Sequence, residues 1–528
     1  MKRMYNRNQN RTPLIDAMEN FIQGEPAFFR IPAHRFDRGV DARALQLLGS
    51  KVYKADLTEA EGLDDLHHPE GAIRDAEELA AELFQADRCW FLVNGTTCGN
   101  EAMILAALQP GDKILLPRNA HKSVLMGVIL AGAIPVWIMP EYLEEWQLYG
   151  VIRPSDVRDA LEKDPDIKAV FLVSPTYYGI RSDIRRIADI CHFHGVPLLV
   201  DEAHGSHLYF SEKLPEGAIQ SGADAAAQSI HKTAGSMTQS SMLQMKSRLI
   251  DPARLDECLK LVMSTSPNYV LMASLDGARH ALAMHGRAMM ERALELAEKA
   301  AAGLESIEGI RVLHTPRTGI PYDPLRLVFS AAELGIGGYE LQERIYAIDH
   351  VSTELADFRN VVAVVTWANT EEDIRRLVEA VRKAAVMRKG QKNESSEGTA
   401  VQDPAGADAG DEIDTEESSA LVYEDTHLRM EEKELVQMVG SILQLPETVL
   451  RPREAFYAKK DTIPWSSSVV GMIAAEAVIP YPPGIPLLNP GERITEEIYR
   501  TVENYRRAGL PIHGPADPEL ETIQIIAG

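Results

Sequence analysis

From about residue 71 the apolar and polar positions fall into two alternating rhythms. The run "AIRDAEELAAELFQA" places its apolar residues at helical spacing, and "CWFLVNG" is a short apolar run that ends at glycine. "TTCGNEAMILAAL" reads as a helix, "DKILLPR" as a strand, "HKSVLMGVILAG" as a helix and "IPVWIMP" as a strand. The same exchange continues through "IKAVFLVSP" (strand), "IRRIADICHFHG" (helix) and "VPLLVDEAHG" (strand). Short strands of β-formers between helices of this length predict βαβ units, hence a mainly parallel sheet covered on both faces.

The rhythm changes near residue 290. A long Ala-rich helix, "RAMMERALELAEKAAAGLESI", leads to the strands "PLRLVFS" and "NVVAVVTW" and the helices "GYELQERIYAIDHV" and "NTEEDIRRLVEAVRKAAV". This predicts a smaller α+β domain. Residues 388–420 are polar, acidic towards their end and nearly free of large apolar groups, so they predict a flexible linker that cannot bury enough surface to offset its ordering entropy. Residues 421–528 resume a folded pattern and include the Pro-rich "VIPYPPGIPLLNPGERIT", which must be extended. The expected organisation is an N-terminal helix and arm (1–40), an α/β large domain (41–289), the small α+β domain (290–387), the linker (388–420) and a C-terminal α+β domain (421–528).

Composition narrows the partners. The chain has 528 residues, 45% hydrophobic and 25% charged, which is ordinary for a globular protein with a sizeable core. Its formal charge of -24 and lack of a basic patch argue against nucleic acid. The uncharged run at residues 123–140 is cut by Gly and Pro and reads as a helix end, a turn and a buried strand rather than a membrane span. Cys89, Cys98, Cys191 and Cys258 form no CxxC pair and no metal spacing, so they read as reduced thiols of a cytoplasmic protein, with no metal site expected. The basic N-terminus lacks the apolar stretch of a secretory signal.

In an open α/β sheet, ligands sit beyond the carboxyl ends of the strands. Four polar clusters fall at such ends. "NGTTCGN" (94–100) opens a helix with two hydroxyls, Thr96 and Thr97, in its first turn, where free N–H groups and the helix dipole suit a phosphate, though a plain cap would look alike. "RNAHKS" (118–123) carries His121, a flat ring that could stack on a flat cofactor or simply be a surface polar group. "DEAHGSH" (201–207) puts Asp201 at the end of an apolar strand, where a carboxylate needs a cation or good hydrogen bonds. "SIHKT" (229–233) holds Lys232 among small residues with nothing acidic beside it. A single lysine is ordinarily solvated surface. Burial and a nearby positive group would instead make it a neutral nucleophile. Phosphate cradle, stacking ring, buried aspartate and isolated lysine, in that chain order, suit pyridoxal 5'-phosphate (PLP).

The chain resembles the Orn/Lys/Arg decarboxylases of PLP fold-type I, the aspartate-aminotransferase-like fold, in the short bacterial form. The resemblance rests on "TPLIDAM", "GLDDLHHPEGAI", "NGTTCGN", "HKS", "PTYYGI", "VDEAHGSH", "SIHKTAGSMTQSSML", "TSPNYVLMASLD" and "PYPPGIPLLNPGE", which span residues 12 to about 495. It implies that Lys232 carries the cofactor and later moves protons, that Asp201 keeps the pyridine nitrogen protonated, and that His121 stacks on the ring. It implies further that Thr96, Thr97, Ser229 and His231 hold the phosphate, with His204 near the ring. Family members are at least homodimers with sites at the interface, and "TSPNY" (265–269) would then reach a neighbour's cofactor. Two departures stand out: the family's "PGHK" reads "PAHR" at 32–35, and its "GR" reads Gly471 and Met472.

The implied reaction is decarboxylation of a basic amino acid, with arginine, converted to agmatine for polyamine synthesis, favoured over lysine or ornithine. The substrate's second cation calls for an acid, for which Glu476, Asp64 and Asp65 are candidates, each equally readable as a structural carboxylate. Two rivals are an aminotransferase, for which Arg326 would bind the substrate carboxylate, and a non-catalytic PLP-binding regulator.

Overall fold

The computed structural model describes residues 5–314, 319, 321–397, 445–480, 486–507 and 511–527. Helix α1 (Pro13–Gln23) and two short helices, α2 (Ala42–Leu48) and α3 (Ser50–Ala55), form the N-terminal arm. Helix α4 (Ala72–Phe84) then leads into strand β1 (Arg88–Leu92), helix α5 (Gly95–Ala107) and strand β2 (Lys113–Pro117). Helix α6 (Lys122–Ala131) and strand β3 (Ile134–Ile138) follow, and then a hairpin of β4 (Tyr142–Leu143) and β5 (Leu148–Tyr149). The chain continues through α7 (Pro154–Lys163), β6 (Ile167–Val173), α8 (Ile184–Phe193), β7 (Leu198–Asp201), β8 (Ala225–Gln228), the single turn α9 (Ile230–Thr233) and β9 (Ser241–Met245).

These strands form one seven-stranded sheet in the order β1-β9-β8-β7-β6-β2-β3. Neighbours from β8 through β3 pair parallel, while β9 runs antiparallel to both β8 and β1. β9 is therefore the one reversed strand in an otherwise parallel sheet, and β7 and β8 are buried along their whole length. Strands buried on both faces need continuous apolar runs, which is how "LLV" and "AAA" read.

Beyond β9 come α10 (Pro252–Val262) and a 37-residue helix, α11 (Tyr269–Glu305). A boundary at 289/290 falls inside α11, so the expected start of the small domain does not coincide with an element boundary. The second sheet, β10-β11-β13-β12, is antiparallel: β10 (Arg311–Val312), β11 (Arg326–Ser330), β12 (Leu355–Ala356) and β13 (Asn360–Val364). Helices α12 (Gly338–Asp349) and α13 (Glu371–Glu397) cover it, and α13 continues over the first ten residues of the expected linker. The rest of that linker, and residues 421–444, lie outside the described residues.

The C-terminal unit contains α14 (Pro452–Tyr457), β14 (Lys460–Pro464), β15 (Ile479–Pro480), α15 (Glu496–Arg507), β16 (Ile512–His513) and β17 (Thr522–Ile526). β14 pairs with β17 and β15 with β16, around a separate core of Trp465, Val469, Leu488, Ile498, Val502 and Ile523. Most of the "PYPPGIP" run, residues 481–485, lies outside the described residues.

Candidate active site

All four polar clusters lie at the carboxyl ends of sheet strands. β1 ends at Leu92 and the chain enters α5 through Gly95, whose φ of 74° is one that glycine adopts without strain. Thr96 and Thr97 sit half-buried in the first turn of α5, and Thr96 Oγ1 lies 3.1 Å from the hydroxyl of Ser229, which follows β8. Two hydroxyls from different strand ends thus meet at a helix N-terminus, an arrangement able to hold a phosphate. His231 Nδ1 donates to the Ser240 carbonyl at 2.9 Å, and burial holds its ring below the usual histidine range.

Asp201 ends β7 and is 4% exposed. Its Oδ2 accepts from Asn100 Nδ2 at 2.8 Å and its Oδ1 from the Ala203 N–H at 3.0 Å. Both donors are neutral, and among the described residues no cationic side chain forms an ion pair with this carboxylate. A buried carboxylate in that state favours a positive N–H, which a pyridinium nitrogen provides. Asn100 also donates to Ser123 Oγ at 3.0 Å, and Ser123 Oγ lies 2.8 Å from His121 Nδ1. His121 is the N-cap of α6 and accepts from the Ser123 N–H. Burial lowers its pKa, with Lys232 adding to that and Asp201 opposing it. One network therefore fixes both the aspartate and the histidine.

Lys232 lies in α9 with Nζ 3.0 Å from His204 Nε2. His204 Nδ1 lies 2.9 Å from Nη2 of Arg326, which enters from β11 of the second sheet. The Tyr177 ring is 4.4 Å from the His204 ring and 5.4 Å from the Lys232 amine, centroid distances in both cases. Burial lowers the Lys232 pKa and Arg326 lowers it further, while Asp201 and the exposed Glu354 pull the other way. Burial, with Lys232 and Arg326, pushes His204 well below the usual imidazole range. An amine so placed gives up its proton more readily than a solvated lysine, which is the direction a nucleophile needs.

The structure thus brings together Lys232, His204, Asp201, His121, Thr96 and Ser229, with Thr97 and His231 in adjoining turns. The acids expected for the substrate are elsewhere engaged. Asp64 gathers the backbone N–H groups of Glu70, Gly71, Ile73 and Arg74 ahead of and into α4, and Asp65 accepts from the His67 N–H. Glu476 lies in the C-terminal unit, where its two oxygens accept from the Ala516 and Gln524 N–H groups, each at 2.9 Å. Within "TSPNY", Asn268 caps α11 and Tyr269 bonds the Asp64 carbonyl. Sequence reasoning missed Asn100 as the partner of Asp201. It read Arg326 only as a possible carboxylate binder. Asn100 was already present at the end of "NGTTCGN", one helical turn after the threonines on the same face.

An arginine decarboxylase of Bacillus subtilis is 36% identical over 525 residues, 98% of each chain, and one of Bacillus anthracis is 35% identical over 99% of each. Among solved structures, the lysine decarboxylase LdcF of Francisella novicida superposes with a TM-score of 0.79 at 21% identity, over 98% of this chain and 81% of its own. PLP is the cofactor that the buried Asp201, the paired hydroxyls and the isolated Lys232 fit. The Orn/Lys/Arg decarboxylase major domain matches residues 12–318 and its C-terminal domain residues 434–508, and the chain belongs to the Orn/Lys/Arg decarboxylase family.

Proposed function

We propose that the chain decarboxylates L-arginine, taking up one proton and releasing carbon dioxide and agmatine, with lysine and ornithine as weaker alternatives. The full-length likeness to arginine decarboxylases supports the substrate. The half-buried amine of Lys232, 3.0 Å from His204 Nε2 and with no carboxylate at ion-pair distance among the described residues, is the observation that carries the reaction. The cofactor, when bound, supplies the electron sink for the pair left behind as carbon dioxide departs. Lys232 would hold it and move a proton at Nζ. Asp201, oriented by Asn100, would accept the proton on its ring nitrogen. His121 would stand beside its ring. Thr96, Thr97, Ser229 and His231 would bind its phosphate, and His204 would stand beside the Lys232 amine.

The substrate's guanidinium needs a carboxylate. Glu476 remains a candidate, though both its oxygens already hold amides, whereas Glu354 is exposed and close enough for its charge to act on Lys232 and Arg326. Arg326 as an aminotransferase-type carboxylate clamp is disfavoured, because its Nη2 is on His204 and it is 2% exposed. The working unit is a homodimer or larger: the arm leaves Phe29 91% and Leu47 83% exposed, large apolar groups that a second copy would cover. We place the enzyme in the cytoplasm, in line with its four free, buried cysteines. Among the described residues no helix is long and apolar enough to cross a membrane.

Incubation with arginine, lysine and ornithine, with product identification, tests the reading. Agmatine from arginine, lost in Lys232→Ala, is the expected result. Faster cadaverine or putrescine formation would transfer the assignment to lysine or ornithine. A cofactor-loaded protein that releases carbon dioxide from none of the three would overturn it in favour of a regulator. Borohydride reduction of the loaded protein should tag the peptide containing Lys232 and no other.

A further inference from the structure

We propose that Arg326 is a positioning residue: it fixes His204 in the tautomer that carries its proton on Nε2, so that the ring donates to Lys232 and holds that amine as a neutral base. The argument is one of donors and acceptors. A guanidinium has five N–H donors and no acceptor, and it stays charged. Its Nη2 lies 2.9 Å from His204 Nδ1, so Nδ1 must accept. An imidazolium is thereby excluded, since both its nitrogens are donors. The neutral ring then has its proton on Nε2, and that N–H points at Lys232 Nζ, 3.0 Å away. Nζ must supply a lone pair to receive it. An ammonium has none, and an ammonium donating to Nε2 would leave both ring nitrogens without a proton.

Three side chains from β11, the loop after β7 and α9 therefore form a row whose proton count is set at its far end. Arg326 cannot drift away from His204 easily: it is buried at the start of β11, and Tyr322 bonds its own carbonyl. The other charged and titratable groups that face Lys232 are Asp201 and Glu354, which favour its protonation, and those facing His204 are His121 and His207, which disfavour an imidazolium. The Tyr177 ring packs against His204. This inference rests on Lys232 being the reacting amine. It adds what keeps that amine unprotonated between the times it holds the cofactor.

Full-length protein labelled with 15N-histidine, measured before and after cofactor loading, tests the row apart from activity. The His204 signal is assigned by its loss in His204→Asn. Before loading, the expected spectrum shows His204 neutral with its proton on Nε2. Competitive acylation of Lys232, followed by peptide mass, gives the pH midpoint of the amine in the same samples. Arg326→Met should lose the tautomer and raise that midpoint by at least one pH unit, a roughly tenfold slower reaction at neutral pH. Arg326→Gln keeps an N–H donor without the charge, and should retain the tautomer with a midpoint nearer to the unaltered protein. A wild-type His204 with its proton on Nδ1 would overturn the proposal. So would an Arg326→Gln protein that matches Arg326→Met in both readouts, since charge alone would then be acting. Neither readout depends on carbon dioxide release, so failure here and failure of the decarboxylase reading are told apart.

Discussion

Arg118 and Lys232 are basic groups beside loops that serve the candidate site, the first buried and the second half-buried, and their surroundings are opposites. Arg118 is 3% exposed and has four of its five N–H donors engaged: Nη1 and Nη2 meet Glu492 at 2.5 and 2.8 Å, Nη2 also donates to the Leu487 carbonyl at 2.9 Å, and Nε donates to the Pro486 carbonyl at 3.1 Å. Its guanidinium also lies 5.1 Å from the Trp137 ring. Glu492 is 1% exposed and takes a further bond from the Asn489 N–H. Among the described residues Lys232 has no carboxylate at ion-pair distance, and its amine lies 3.0 Å from an imidazole nitrogen of His204. A cation paired with a carboxylate and bonded to two carbonyls besides is held still. An amine without a carboxylate at ion-pair distance holds its proton less firmly. The first arrangement joins two units of the fold, because Glu492, Pro486 and Leu487 belong to the C-terminal unit and Arg118 follows β2. The same unit grips the other end of α6, where Arg453 Nη1 donates to the Leu130 carbonyl at 2.9 Å. Since His121 caps the start of α6, the C-terminal unit holds the helix that presents this histidine.

The sharpest way to break that contrast is to unbalance the saturated pair. Arg118→Ala strands Glu492 in a dry site, and loss of one partner of a buried pair costs about 3–5 kcal/mol. Urea unfolding followed by Trp465 fluorescence should show it, with weaker cofactor retention as His121 loosens. Joining Arg118→Met to Glu492→Leu should recover most of the stability, because an apolar pair of similar volume needs no counter-charge. If the single change costs less than about 1 kcal/mol, the buried pair is no better than an exposed one such as Arg185–Glu216, and the contrast fails.

A smaller effect is expected inside the reactive cluster. Asn100→Ala removes the amide that joins Asp201 to Ser123 and so to His121. Leaving a buried acceptor unpaired costs about 1–3 kcal/mol. The site already lacks a counter-charge for Asp201, so the loss should show mainly as weaker cofactor binding, read by equilibrium dialysis, with a modest change in unfolding midpoint. Equal cofactor affinity in the variant and the parent would remove Asn100 from the network's function.

The sheet and the clustering of the candidate site residues were legible in the sequence for the same reason. Period and length separate buried strands from helices, and chemistry placed at strand ends by that pattern must meet at one edge of the sheet. Lys232, Asp201, His121 and Thr96 needed no contact information beyond this. Arg326 did, because it meets His204 across 122 positions of chain and from a different sheet. The clamp at Arg118 spans 374 positions to Glu492 and was invisible for the same reason. Asp64 and Glu476 show the converse: the backbone amides that a carboxylate in a motif also serves are not visible in the sequence. The sequence pattern showed α11 only from Arg287 onward, whereas the helix starts at Tyr269. Gly286 allows a close approach within it, since a Cβ at that position would lie 2.8 Å from the Phe210 ring.

Glu77 offers the finest test, because it is a buried charge site with neither a saturating partner nor a catalytic use. It lies on α4, is buried, and accepts the Phe91 N–H at 2.8 Å. Burial raises its pKa to about 8, against the weaker opposing pull of Phe91 and Arg88. The folded chain therefore keeps a proton that the unfolded chain releases above its ordinary carboxyl value of about 4.5. The unfolded state binds fewer protons across this window, so stability from this group is fullest below pH 4.5 and is lost as the pH rises towards 8. The slope for one proton is at most about 1.4 kcal/mol per pH unit. Glu202, raised to about 7 by burial, adds a slope of the same sign that any comparison of variants cancels. Glu77→Gln keeps an oxygen for the Phe91 N–H and removes the proton, so its stability relative to the parent should improve steadily from pH 5 to pH 8. Urea midpoints at both pH values measure this directly. A difference that stays constant with pH would mean that Glu77 is ionised in the fold, and that burial without a counter-charge does not by itself neutralise a group in this protein.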